Sequence, residues 1–102
     1  MKQLGLKPTI GMLHVEDSYN MDWNSQLKFV NIVQSARSQY RDRSAIAQQI
    51  QNECEEHFPH SNGVWVVFYY ESNDSFGYAS KCYKDILIAN AGTNDYAYAC
   101  CA

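Results

Sequence analysis

Gly63-Val64-Trp65-Val66-Val67-Phe68-Tyr69-Tyr70-Glu71 is the stretch from which the rest of the chain is best understood. The run is short for a helix and rich in β-branched and aromatic residues. Gly63 precedes it and a turn-forming cluster, Ser72-Asn73-Asp74-Ser75, follows it, so it reads as a strand. Strand side chains alternate, which sends Val64, Val66, Phe68 and Tyr70 to one face and Trp65, Val67 and Tyr69 to the other. Both faces are apolar. The expectation is therefore the innermost strand of a single sheet, covered on both sides.

Working outward toward the C-terminus, Phe76 to Cys82 is a weaker, mixed strand that opens on Phe76-Gly77 and carries Lys81, the pattern of a sheet edge. Asp85 to Ala91, with Ile86-Leu87-Ile88, is a further strand. Gly92-Thr93-Asn94 turns it into Asp95 to Cys101, where Tyr96 and Tyr98 alternate with alanines. Toward the N-terminus the period changes to that of helices. From about Asp22 to Arg41, Trp23, Leu27, Val30 and Val33 recur at helical spacing, widened by Phe29, Ile32, Ala36 and Tyr40, with Asp22 placed to cap the first turn. A second helix starts at Ser44 as N-cap, buries Ile46, Ala47, Ile50, Cys54 and Phe58, and is stopped by Pro59. Before the helices, Ile10 to Glu16 alternates as an outer strand with Leu13 and Val15 inward, and Asp17 to Asn20 turns the chain. Residues 1–9 read as a tail or linker and residues 10–102 as the domain. The predicted order is β-α-α-β-β-β-β. That makes an α+β class with two helices packed on a mostly antiparallel sheet.

The chain has 102 residues, enough for one modest core and not for two. Its net charge is −3 and its eight Lys and Arg are scattered, so no basic stripe is available to neutralise phosphates, which disfavours nucleic acid and anionic membranes as partners. No segment approaches the roughly 20 apolar residues of a membrane span, and the first residues lack a signal-peptide apolar region, so a cytoplasmic location is expected. Cys54, Cys82, Cys100 and Cys101 lack Cys-x-x-Cys spacing, and free thiols are expected of them. Adjacent Cys100 and Cys101 would face opposite sides of a strand.

Catalytic and cofactor signals are weak. Cys54 and His57 lie three apart on a helix, but no second pair at metal-binding spacing accompanies them. Nothing in the order of residues brings His14, His57 or His60 beside Cys82 as a nucleophile and base would require. The few glycines form no phosphate-cradling loop. Asp17 to Asp22 lacks the ligand spacing and turn glycine of a calcium loop. Asn73-Asp74-Ser75 matches a glycosylation acceptor, although its simpler use is as a turn. No enzyme activity, metal or cofactor is expected.

Tyr40, Ile46-Ala47-Gln48-Gln49-Ile50, Phe58-Pro59, Trp65, Phe76-Gly77, Lys84 and Gly92, in that order, resemble the small hub-type dynein light chains, and Met21 before the first helix fits as well. The likeness runs from about Gly11 to Ala102. It implies a homodimer in which the strand opening at Phe76-Gly77 crosses to the partner subunit, with Trp65, Val66, Phe76 and Tyr78 at the dimer interface. It also implies two grooves where an extended peptide adds to that strand by β-augmentation. On this sequence the groove would comprise Arg43 and Ser44, the strand Phe76, Gly77, Tyr78, Ala79, Ser80, Lys81 and Cys82, and the facing residues Ile86, Ile88 and Asn90.

The implied partners are linear peptide segments of other proteins, with dynein intermediate chain as one candidate, in a cytoplasmic, microtubule-associated setting. Where the family carries an interface histidine this chain has Val66, and where it carries groove aromatics this chain has Ile86, Ile88 and Asn90. An acid-sensitive dimer and the family's usual peptide motif are therefore not implied here. Divergent copies of the same domain also occur at the carboxy terminus of calcium-binding tegumental proteins of parasitic flatworms, behind a pair of EF-hands. That likeness implies an alternative role, a structural dimerisation domain attached to an upstream calcium sensor.

Overall fold

Two aspartates start the two helices. Asp22 accepts a hydrogen bond from the Ser25 amide at 2.7 Å and begins α1 (Trp23–Gln39), and Asp42 accepts one from the Ala45 amide at 3.0 Å and begins α2 (Arg43–His57). Each carboxylate satisfies an otherwise orphaned amide and meets the positive end of the helix dipole. The N-cap expected at Ser44 therefore lies two residues earlier, and Ser44 is an exposed residue of the first turn. At the other ends the amides of Tyr40 and Phe58 donate to the carbonyls of Ala36 and Cys54.

The computed structural model describes residues 9–10, 13–58, 64–71, 84–90 and 95–101. Its strands are β1 (Thr9–Ile10), β2 (Leu13–Tyr19), β3 (Trp65–Glu71), β4 (Lys84–Asn90) and β5 (Asp95–Cys101). They form one antiparallel sheet in the order β1-β2-β4-β5-β3 beneath two helices, an α+β architecture. The expected strand from Phe76 to Cys82, the turns at Ser72 to Ser75 and Gly92 to Asn94, and the stop at Pro59 lie outside the described residues.

Three readings are corrected. β3 is not innermost: among the described residues it ends the sheet, and β4 and β5 hold the centre. Its apolar character on both faces suggested a middle strand, but only one of those faces is covered by helices. Asp17 to Tyr19 do not turn the chain but continue β2, because the register shifts between Val15 and Asp17, leaving Glu16 as an extra residue while pairing with β4 resumes. The turn falls at Asn20, whose φ of 58° is one that asparagine tolerates better than most residues. Thr9 belongs to a short hairpin with β2, paired to His14, rather than to a tail.

Among the described residues the core cluster lies on one side of the sheet. Register places Val67, Ala99 and Ile86 in one row, and Tyr69, Ala97, Ile88 and Val15 in the next. Against these rows α1 buries Phe29, Val30, Ile32, Val33 and Ala36, and α2 buries Ile46, Ile50 and Cys54. Ala97 and Ala99 are small and buried in the core cluster. Trp65 fills the space at the end of α2. Its ring lies 5.9 Å from that of Phe58 and 6.4 Å from that of Phe29, and its Nε1–H donates to the Phe58 carbonyl at 2.8 Å.

Candidate functional site

Helices cover one face of the sheet; on the other, β3 presents a second apolar row. Val64 is 60% exposed, Val66 40% and Phe68 44%, and Tyr70 stacks on Tyr96 of β5 with ring centroids 5.7 Å apart. Toward β5 this face becomes buried, at Tyr98 and Cys100, which are not part of the helix-covered core. Among the described residues, three of the exposed large apolar side chains thus lie together at the strand that ends the sheet. Exposed apolar residues gathered on an end strand invite pairing with another chain.

The start of that strand is fastened to α2. Glu55 Oε1 accepts from the Trp65 amide at 3.2 Å, and Gln51 Nε2 donates to the Trp65 carbonyl at 2.8 Å. Both backbone groups of Trp65 are therefore taken by side chains one helical turn apart. Because backbone groups alternate in direction along an antiparallel strand, the next residues whose amides and carbonyls point the same way are Val67 and Tyr69.

At the far end of β3, Tyr69 Oη donates to Asp95 Oδ2 at 3.0 Å, and Arg43 Nη2 lies 3.9 Å from Asp95 Oδ1. Burial pushes the Tyr69 phenol above its ordinary pKa, with Asp95 adding to the rise and Arg37 opposing it. These contacts bring the end of α1, the start of α2 and the ends of β3 and β5 to one corner. Arg43, the groove residue predicted at the start of α2, is therefore placed beside the sheet with half of its side chain exposed.

The remaining predicted site residues divide into separate groups. Phe76, Gly77, Tyr78, Ala79, Ser80, Lys81 and Cys82 lie outside the described residues. Ile86 and Ile88 are 0% and 1% exposed on the helix-covered face, so in the single chain they are core residues and not open groove walls. Asn90 ends β4, paired to Leu13. Trp65 is a core residue, while Val66 lies on the outer face. Val64 and Phe68 share the outer face with Val66, a period-two relation that was legible in the sequence.

Two of the described cysteines, Cys54 and Cys101, are free, as expected, and buried, but Cys100 is disulfide-bonded. Burial pushes the Cys54 thiol far up, helped by Glu55, Cys101 and Glu53, which is the reverse of what a nucleophilic thiolate needs. Cys54 and His57 are not brought together as ligands, since the thiol lies in the core and the imidazole lies at the surface. Among the described residues no helix is long and apolar enough to cross a membrane. No family model matches the chain, and no curated protein matches it.

Proposed function

We propose that this chain is a non-catalytic, dimeric protein-interaction domain of dynein light chain type that binds extended peptides by β-augmentation. The observation that carries the reading is the exposed apolar row of Val64, just before the end strand, and Val66 and Phe68 on it, on the face opposite the two described helices. A second copy of the chain is the occupant best suited to it. The row carries no charge, so its cover must be apolar, and a symmetric pairing satisfies two such rows at once. The resemblance adds the exchange of the strand opening at Phe76-Gly77 and the groove that runs from Arg43 and Ser44 to Asn90. A cytoplasmic, cytoskeleton- or tegument-associated location follows from the resemblance alone. The disulfide at Cys100 is uncommon for a cytosolic protein.

A second reading, a structural dimerisation domain attached to an EF-hand sensor, is favoured by the burial of Ile86 and Ile88, which removes two of the expected groove walls. A peptide-array screen, followed by titration of hits against the wild type and Asn90→Tyr, separates the two. Hits whose selectivity changes in Asn90→Tyr while the dimer persists support peptide binding. No hit above background, with a dimer still present, leaves dimerisation as the function.

A further inference from the structure

Away from the sheet edge, the outer surface of the helix pair holds a cleft of about 230 Å³ lined by Lys28, Asn31, Ile32 and Ser35 of α1 and Gln49, Glu53 and His57 of α2. Glu53 and His57 of its α2 wall, together with Glu56 just outside the lining, each offer one donor atom, and the three lie within 4.8 Å of one another. His57 Nε2 is 3.0 Å from Glu53 Oε2 and 4.0 Å from Glu56 Oε2. Donors about 2.1 Å from one ion stand roughly 3 to 3.5 Å apart in octahedral or tetrahedral geometry, so small side-chain rotations bring these three into range. The i, i+3, i+4 spacing on a formed helix fixes them on one face before any ion arrives. Gln49 Nε2 donates to Glu53 Oε1 at 3.1 Å, holding that carboxylate with its second oxygen toward His57.

We propose that Glu53, Glu56 and His57 form a surface site for a divalent transition-metal ion of the zinc or copper kind, with water completing its coordination in the cleft. One imidazole and two carboxylates suit zinc and copper and supply too few oxygens for calcium. Lys28, on the opposite wall, opposes a bound cation and weakens the site. Glu56, whose side chain is 71% exposed, is the least fixed ligand.

The test is calorimetric titration of the full chain with zinc chloride, repeated with His57→Ala, Glu53→Gln, Lys28→Met and His14→Ala, each checked for unchanged helicity. The expected result is one equivalent bound by the wild type, weakened at least ~tenfold in His57→Ala and in Glu53→Gln, tightened in Lys28→Met and unchanged in His14→Ala. Cobalt substitution distinguishes this site from the thiols, because imidazole and carboxylate ligands give no thiolate-to-cobalt charge-transfer band. Absence of saturable zinc binding, undiminished binding in His57→Ala, or a thiolate band on cobalt loading each overturns the proposal.

Discussion

Trp65 shows how one side chain can join several parts of this protein. Its ring packs against Phe29 and Phe58, its indole N–H is satisfied by the Phe58 carbonyl, and its backbone is held by Gln51 and Glu55. Trp65→Ala should cost about 3 to 5 kcal/mol, read as a lower urea midpoint, because it leaves a cavity among three elements and an unpaired carbonyl. Cys54 gives a second prediction at this scale. Its folded-state pKa lies above its unfolded value, so its contribution to stability is fully present below the unfolded thiol pKa of about 8.5 and is lost as pH rises beyond it. Stability should therefore fall above that pH. Correspondingly, Cys54 should resist thiol reagents at neutral pH until denaturant unfolds the chain; labelling in the native state at the unfolded rate would contradict the burial seen here.

Among the elements, the helices were the most legible in sequence. Their apolar periods placed both within two residues, since the burial of Phe29, Val30, Val33, Ile46 and Ile50 follows directly from spacing. The cap of α2 was misplaced because Asp42 and Ser44 are both good capping types and only the backbone decides between them. Asp22→Ala and Asp42→Ala should each lower stability by about 1 kcal/mol, whereas Ser44→Ala should change it by less than about 0.5 kcal/mol. A large loss in Ser44→Ala would return the cap to the serine. Strand order was less legible, because an alternating apolar run looks alike in the middle of a sheet and at its end. The bulge at Glu16 left no mark in the sequence. At β3 the fastening of Trp65 to α2 takes up its amide and carbonyl, so the proposed strand addition would use Val67 and Tyr69. In the assembled protein the Val67 and Tyr69 amides should exchange slowly with solvent and lose protection when the chains are separated by dilution. Equal protection in both states would show that no strand adds there.

For the molecule as a whole, the core cluster of the described residues lies on one side of the sheet, and the proposed interface lies on the outer face of β3. The candidate site was only partly legible in the sequence. The face on which Val66 lies followed from strand alternation, but burial of Ile86 and Ile88 depends on which face of β4 the helices cover, a tertiary choice that alternation alone does not make. The most direct test of the account is sedimentation equilibrium at micromolar concentration on the wild type and on Phe68→Lys, which places a charge in the exposed row. The account predicts twice the 11.7 kDa chain mass for the wild type and a shift toward the single chain for the variant. A wild type that sediments as a single chain would contradict it.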